Sequence, residues 1–504
     1  MEFNALKFKT DNGNDYIYDN EMGMILPCPD YEYYIIENYY KLDKSEIINN
    51  LIAKFNKSEE DAEAAFRYIA IQVSKGCFYK KEEIDKIERI TLEDIEMTDM
   101  SQLILITTED CNIRCKYCIY SDNYPDVKSY SKKSMDIKTA KKAVDYYRDL
   151  HAKRVKRGFR RKPIITFYGG EPFLAFKLIK EVVKYCKETQ FDTLFFVTTN
   201  ATIFTDEMIN FIIENNLIVT FSLDGNESNH NRNRVFSNGK GTFDLVIKNI
   251  NKLQEAKKKR NISEAISFSC CYDNYTDMVE VIKFFEENHD LFYPYTVFYS
   301  QISKLDTNYY DYCKSAHEAG VIETDEYTFG KSVNVLLKEF LEKIMKEETP
   351  PISLTALFMA IKYIIWRSRG EMDIMEPSCT PGSKIAVAPD GNFYVCERVS
   401  QANSSCIGDV EHGLMIEKIN IMIDEYKKIR QENCKRCPVS RLCAMCFMHL
   451  SKGNTMEFNY ELCSENRRDI PRSLSRAFSI LEIMPNAFDV FDSKDANKDL
   501  YEIR

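Results

Sequence analysis

The sequence predicts an α/β fold centred on a partial, TIM-like (β/α)6 barrel, with a small α+β unit before it and a cysteine-rich unit after it. Three observations carry this expectation. First, six near-continuous apolar or β-branched runs lie between residues 101 and 304: "LILITTE", "PIITFYGG", "TLFFVTTN", "LIVTFSLDG", "AISFSCCYD" and "TVFYSQIS". Strands buried on both faces read this way. Second, amphipathic segments such as "DIKTAKKAVDYYRDL", "FLAFKLIKEVVKYCKE" and "GTFDLVIKNINKLQEA" separate them. Alternation of this kind implies parallel strands joined by right-handed crossovers. Third, polar residues gather where the runs end, at Glu109, Gly169, Gly170, Glu171, Thr199, Asn200, Ser222 and Asp224. In parallel α/β folds that carboxyl edge is where ligands bind.

The remaining elements follow in order. Residues 1–95 offer three short strands, "LKFKT", "DYIYD" and "MGMIL", with "DNGND" as turn chemistry between the first two. Three helical patterns come next, "YEYYIIENYYKL", "KSEIINNLIAKF" and "EEDAEAAFRYIAIQVSKG", the last stopping at Gly76. The barrel occupies 96–320. A helical bridge spans 321–378, with "SVNVLLKEFLEKIMKEE" and "SLTALFMAIKYIIWRSRG" as its helices. The cysteine-rich unit covers 379–465, and 466–504 form a last helix and a polar tail.

Composition narrows the function classes. At 504 residues the chain exceeds one ordinary core. A net charge of −10 argues against a general nucleic-acid binder. The basic run at 148–162, "RDLHAKRVKRGFRRK", reads as a solvated connection, with an RNA- or anion-binding strip as the competing reading. No stretch suits a bilayer span or a signal peptide, so a cytoplasmic protein without membrane partners is expected. In such a chain seventeen cysteines point to metal or redox chemistry rather than disulfides. Cys28, Cys77, Cys186, Cys270, Cys271 and Cys313 are scattered and read as small buried hydrophobes.

The other cysteines are clustered. "ITTEDCNIRCKYCIYSD" places Cys111, Cys115 and Cys118 on the loop after the first barrel strand. Soft thiolates select iron–sulfur clusters, zinc or Cu(I). Three ligands on a [4Fe–4S] cluster leave one iron open, whereas a zinc knuckle needs a distant fourth ligand. Together with "FYGGEP", "TTN" and "SLDG" on the next three strands, "CNIRCKYC" resembles radical S-adenosylmethionine (SAM) enzymes of the peptide- and protein-modifying branch. The resemblance covers 101–304. It implies that SAM chelates the open iron of a cluster held by the three cysteines, and that reduction yields a 5′-deoxyadenosyl radical. It further implies that Tyr117 packs by the adenine through its backbone, and that Gly169, Gly170 and Glu171 receive the SAM amino group. Ser222 would bond the ribose, and Arg234 would pair with the SAM carboxylate, with Arg232 as the alternative. Beside these implied roles, Asp224-Gly225 could serve only as a turn and Asn200 as a loop cap.

Toward the C-terminus, "CTPGSKIAVAPDGNFYVC" sets Cys379 and Cys396 around Gly391, and "CKRCPVSRLCAMC" gives Cys434, Cys437, Cys443 and Cys446, followed by Cys463. Zinc suits such thiolate pairs too. The order resembles the SPASM extension of radical SAM maturases over 379–465, which implies two auxiliary [4Fe–4S] clusters and three clusters in all. Cys379, Cys396 and Cys446 would hold the first auxiliary cluster, and Cys434, Cys437, Cys443 and Cys463 the second. One departure stands out: two residues instead of the usual three separate Cys443 from Cys446. For the fourth position of the first cluster, either Cys406 completes it or the site is open to a substrate thiolate. Glu397 follows Cys396, where sulfatase maturases carry a catalytic aspartate, so it is a candidate base; a loop glutamate at the surface is the competing reading.

The N-terminal unit resembles the winged-helix-like recognition element of enzymes that mature ribosomally made peptides, in which a leader peptide adds a strand to a sheet edge. A structural cap on the barrel is the competing reading. The resemblances together imply a peptide maturase that installs an oxidative crosslink, a cysteine thioether to carbon, on a precursor peptide with a leader. An external electron donor of flavodoxin or ferredoxin type would serve it. Carbon–carbon crosslinking, epimerisation and anaerobic sulfatase (formylglycine-generating) maturation are the alternatives, and a metal-binding peptide-capture protein is the non-enzymatic one.

Overall fold

The computed structural model describes residues 2–80, 89–97, 102–125, 129–304, 307–366, 378–399, 401, 403–452 and 454–488. The expected polar tail past 488 and the "RSRG" end of the bridge lie outside the described residues.

The N-terminal unit is a three-stranded antiparallel sheet, β1 (Ala5–Lys9), β2 (Asp15–Asp19) and β3 (Met24–Pro27), in that spatial order. Three helices follow: α1 (Asp30–Asn38), α2 (Lys44–Phe55) and α3 (Glu59–Ser74). Asp43 and Glu46 form a capping box at the start of α2, and the Ser58 hydroxyl accepts the Asp61 amide at 3.0 Å to start α3. The unit has a core of its own, with Ile17, Ile35, Ile36, Ile47, Leu51, Ala62, Ile69 and Phe78 at its centre.

The barrel strands are β4 (Gln102–Thr108), β5 (Ile164–Gly169), β6 (Leu194–Thr199), β7 (Ile218–Ser222), β8 (Ile266–Tyr272) and β9 (Tyr295–Gln301). They are parallel throughout and lie side by side in sequence order. The crossover helices include α4 (Ile137–Lys156), α5 (Phe176–Glu188), α6 (Asp206–Glu214), α7 (Phe243–Lys259) and α8 (Met278–Glu287). Phe221, Phe268, Phe285 and Phe292 interlock under the later strands, with ring centroids 4.8–6.1 Å apart from Phe268. Two helices, α9 (Thr328–Met345) and α10 (Ile352–Trp366), follow as expected for the bridge, and α10 packs along β9.

The sheet does not stop at six strands. β10 (Lys384–Val387) adds in parallel to the free side of β4, pairing Lys384 with Gln102 and Val387 with Leu105. β11 (Asn392–Tyr394) and β12 (Cys406–Asp409) continue it antiparallel. The cysteine-rich segment is therefore built onto the barrel's first strand. A four-residue run such as "KIAV" carries little periodic signal, and its partner lies far away in sequence, so the pairing is not a local property. Two long helices close the chain, α11 (Ile416–Cys434) and α12 (Tyr460–Ile483). α12 begins before the expected 465/466 boundary and takes Cys463 into its first turn.

The basic run at 148–162 is not simply a solvated connection. Its first nine residues are the end of α4, and Arg154 points inward with 1% of its surface exposed. Its guanidinium donates to the Ile95 carbonyl at 3.2 Å and the Gly382 carbonyl at 3.3 Å, pinning the entry to the barrel and the start of the cysteine-rich unit on one side chain. Arg154→Met keeps the apolar stem but strands both carbonyls, and should cost about 1–3 kcal/mol per unsatisfied group. A lowered thermal midpoint measures it; an unchanged midpoint would show that water or another donor replaces the guanidinium.

Candidate active site at the carboxyl edge of the barrel

β4 ends at Thr108, and the loop carrying the three cysteines springs from it. The loop lies directly on the end of β5. Gly170 N–H donates to the Thr108 carbonyl at 2.8 Å, and Glu171 N–H to the Asp110 carbonyl at 2.9 Å. A Cβ at Gly169 would stand 2.2 Å from the Thr108 oxygen, and one at Gly170 would stand 2.1 Å from the Asp110 oxygen. Gly169 also has φ +138°, a conformation that side chains disfavour. Both glycines are thus required by backbone approach alone.

Glu171, 1% exposed, is a brace as well as a candidate ligand. Its Oε1 accepts from Phe173 N at 3.0 Å and from the Thr199 hydroxyl at 2.8 Å, and its Oε2 accepts from Asn200 N at 2.8 Å. Burial pushes its carboxyl up to about 7, against the pull of those hydrogen bonds. It ties β5 to β6, and an ammonium would have to share it with three protein donors. Asn200 does more than cap a loop: its amide lies 3.6 Å from Cys111 Sγ and 3.0 Å from Asn112 Oδ1. Ser222 ends β7, half-buried, opposite Ser269.

The two candidate arginines separate cleanly. Arg232 is committed elsewhere, with two hydrogen bonds to Asp273 at 2.9 and 3.0 Å and one to Thr276 at 2.9 Å. Arg234 faces the cysteine loop: Nε binds Asp224 at 2.8 Å, Nη1 lies 3.8 Å from Cys115 Sγ, and the guanidinium sits 5.3 Å over the Tyr117 ring. Asp224 in turn accepts the Tyr117 hydroxyl at 2.5 Å and Cys271 N at 2.9 Å. Asp224-Gly225 is therefore an electrostatic hub and not merely a turn. His230 supports it from behind: its Nδ1 accepts Asp224 N at 3.4 Å, and its Nε2 lies 2.9 Å from the Thr242 hydroxyl.

Burial pushes the Cys111 thiol up to about 12, with Glu171 and Cys118 adding to it, and the Cys115 thiol well above its ordinary value, with Cys118 and Cys111 adding to it against the pull of Arg234. Left alone these thiols stay protonated; a bound metal would hold them as thiolates, and three soft donors on one loop suit an iron–sulfur cluster or zinc. Among the described residues no three His, Cys, Asp or Glu side chains converge tightly enough to hold one metal ion.

The seven C-terminal cysteines fall into two electrostatic neighbourhoods. Burial raises Cys396 to about 11, with Glu397 and Cys446 adding to it, and Cys446 in turn feels Cys379. Burial likewise raises Cys434 to about 11, with Cys437, Cys443 and Cys463 as contributors. Cys406 stands on β12; its S–H donates to the Gly408 carbonyl at 3.3 Å, and Lys418 Nζ lies 3.8 Å from the sulfur.

Glu397, expected from the sequence as a candidate base, follows β11 with its carboxylate 3.8 Å from Lys384 Nζ; Arg398 beside it was not singled out by the sequence. Tyr168 on β5, raised first by burial, feels Glu397, Cys118, Arg398 and Cys271 together. His449 Nδ1 lies 3.4 Å from Cys446 Sγ and accepts the Cys446 amide at 3.2 Å. Arg398 and Cys271 enter only through tertiary pairing; His449, three residues past Cys446, was findable from helical spacing.

Comparison with known proteins agrees with this geometry. Residues 105–285, which span most of the barrel, match the family model of the Radical SAM superfamily. A cysteine-type anaerobic sulfatase-maturating enzyme of Clostridium novyi is 28% identical over 177 residues, which are 34% of this chain and 45% of that one. An uncharacterised protein of Methanocaldococcus jannaschii is 37% identical over 29% of this chain and 46% of its own. The match thus spans less than half the length of these two relatives. The radical SAM cyclopropyl synthase TigE of Paramaledivibacter caminithermalis aligns over 92% of both chains at 22% identity. Among solved structures, native anSMEcpe with bound AdoMet shares the fold, with a TM-score of 0.55 at 21% identity, over 78% of this chain and 99% of that one.

Two measurements probe the frame. Gly170→Ala forces the cysteine loop off the end of β5; it should lower stability by about 1–3 kcal/mol, as overpacking does, and reduce iron retained after anaerobic loading. His230 is buried and its ring is lowered from 6.5 to about 3 by burial. Above pH 6.5 the ring is neutral in both states; below it the unfolded chain takes up a proton that the folded chain refuses. Stability should therefore fall as pH drops, by about 2 kcal/mol at pH 5 from this group. His230→Gln should flatten that part of the pH profile of unfolding, and an unaltered profile would remove the ring from the account.

Proposed function

We propose that this chain is a radical SAM enzyme that binds a ribosomally made precursor peptide and forms an oxidative bond within it. One observation carries the reading: the buried thiol loop is backed by the Arg234–Asp224 pair, and Tyr168 on β5 feels both Cys118 of that loop and Glu397 of the cysteine-rich segment. Cys111, Cys115 and Cys118 would hold the catalytic cluster. The strand end at Gly169–Glu171 and the Arg234 guanidinium would receive the amino and carboxylate groups of SAM, with Tyr117 by the adenine and Ser222 at the ribose. When bound, cluster and SAM supply a 5′-deoxyadenosyl radical that removes a hydrogen atom from a substrate carbon. Glu397 would take a proton from the attacking group, which leaves one electron to be accepted. Cys379, Cys396 and Cys446, with Cys434, Cys437, Cys443 and Cys463, would hold two accepting clusters and connect to an external donor of flavodoxin or ferredoxin type. Cys406 on β12 donates to the Gly408 carbonyl and lies 3.8 Å from Lys418 Nζ of α11, which favours an open position on the first auxiliary set over a fourth thiolate there.

A peptide partner is supported by the N-terminal unit. Within its sheet β3 forms an outer edge, whereas β1 on the other side is taken up by α12, where the Ser475 hydroxyl donates to the Lys9 carbonyl at 2.6 Å. An incoming leader strand would pair along Met24–Pro27. The attacking group is a cysteine sulfur in the leading reading. The alignment with a cyclopropyl synthase along nearly the whole chain favours carbon as the second reading. Both remove a pair of hydrogens from the peptide.

Anaerobically loaded protein, reduced with SAM, should release 5′-deoxyadenosine, and Cys118→Ser should release none. Co-expression with a short reading frame from the neighbouring DNA should give a peptide lighter by two hydrogens. A product of unchanged mass, or zinc without iron at the loop, would overturn the reading.

A further inference from the structure

The N-terminal unit and the Cys434–Cys463 group meet through buried polar contacts. In the turn after β2, Asn20 is fully buried; its amide donates to the Ser440 hydroxyl at 2.9 Å, and its carbonyl oxygen accepts Arg441 N–H at 3.1 Å. Arg441, 1% exposed, returns the contact: Nε donates to the Asn20 carbonyl at 3.1 Å and Nη2 to the Glu21 carbonyl at 2.6 Å. Asp19 stiffens the turn by accepting Phe78 N at 2.9 Å and Glu21 N at 3.1 Å on one oxygen. On the other side, Ser440 and Arg441 lie between Cys437 and Cys443, in a loop closed by Ser440 N to the Cys437 carbonyl at 3.1 Å and Cys443 N to the Val439 carbonyl at 3.0 Å.

A second turn of the same unit, between β1 and β2, grips α12. Asp11 N donates to the Ser479 hydroxyl at 2.8 Å, Asn12 to the Ser479 carbonyl at 2.9 Å and to Glu482 at 2.7 Å, while Phe8 and Tyr16 close on Phe478 at 5.8 and 4.9 Å. The first grip lies on the loop between Cys437 and Cys443, and the second holds the far half of α12, the helix whose first turn carries Cys463. Buried amide and guanidinium groups tolerate little slippage, because each lost partner leaves a desolvated polar group behind.

We propose that the N-terminal unit is the assembly clamp of this outer cysteine group, with Asn20 and Arg441 as positioning residues, so that cluster occupancy and order of the peptide-docking unit are coupled. The inference rests on the reading that Cys434, Cys437, Cys443 and Cys463 hold a cluster. Coupling of this kind is reciprocal: filling the thiols tightens the turns, and holding the turns slows loss of the metal.

The test uses the full chain, loaded anaerobically with iron and sulfide and then challenged with an iron chelator. Asn20→Ala should release the outer iron about tenfold faster, a typical coupling, while the iron of the Cys111 loop leaves at its wild-type rate. Asn20→Asp, which keeps an acceptor for Arg441 N–H, should restore retention. In the converse arm, the doubly substituted C434S/C463S protein should show about tenfold faster amide exchange over residues 15–28, with α5 of the barrel unchanged. Wild-type iron release in Asn20→Ala overturns the clamp, as does unchanged exchange over 15–28 or a rise that includes α5. Unaltered iron content in C434S/C463S overturns it differently, by removing the outer cluster itself.

Discussion

The barrel mouth depends on the buried pair of Arg234 and Asp224. Desolvating two charges is costly, and a buried pair is often no more stable than a packed apolar one, whereas removing one partner costs about 3–5 kcal/mol. This pair is retained where its other contacts use it. Asp224 fixes the Tyr117 hydroxyl and the Cys271 amide, and Arg234 brings positive charge to Cys115 while lying over the Tyr117 ring. The ends of β7 and β8 and the cysteine loop are therefore registered by one ion pair. His230 and Thr242 hold it from the rear, where the Thr242 hydroxyl donates to the Arg234 carbonyl at 2.9 Å.

That arrangement also decides between neighbours that look alike in sequence. Arg232 and Arg234 are two residues apart at the end of one short helix, Glu227–Asn233, and its geometry sends them to different carboxylates. Gly169, Gly170 and the three cysteines could be read as motifs: the cysteines by their spacing on one loop, the glycines by their pairing after a strand. The structure gives the glycines a reason, since a Cβ there would come within 2.2 Å of the Thr108 or Asp110 oxygen. The six barrel strands were legible because strands buried on both faces must be apolar throughout. What was hidden depended on distant pairing. β10 is four residues long and takes its place only against β4, so nothing near it announces that pairing. Arg154 was hidden for the opposite reason: a run of basic residues looks uniformly solvated, and only packing selects which one turns inward.

The strand addition brings two segments far apart in sequence together. β10 runs parallel to β4, and β11 turns the chain back antiparallel toward Lys384. Glu397 then lies 3.8 Å from the Lys384 ammonium, and its charge is felt by Tyr168 on β5. A hairpin appended to an edge strand is a rigid way to fix such a placement, because every backbone hydrogen bond of the ladder resists slippage and a shift of one residue would invert the faces.

The interleaving of the C-terminal cysteines has a structural counterpart in Ala444 and Met445. These two residues carry the chain from Cys443, in one neighbourhood, to Cys446, in the other. A crossing so short can be rigid only if it is anchored, and it is: Met445 is 1% exposed, and its carbonyl accepts the hydroxyl of buried Tyr426 at 3.0 Å. The ring of Tyr426 in turn meets Phe447 at 4.7 Å, on the far side of Cys446. Tyr426 thus holds the chain on both sides of Cys446, so the short crossing between the two neighbourhoods is fixed by one buried side chain.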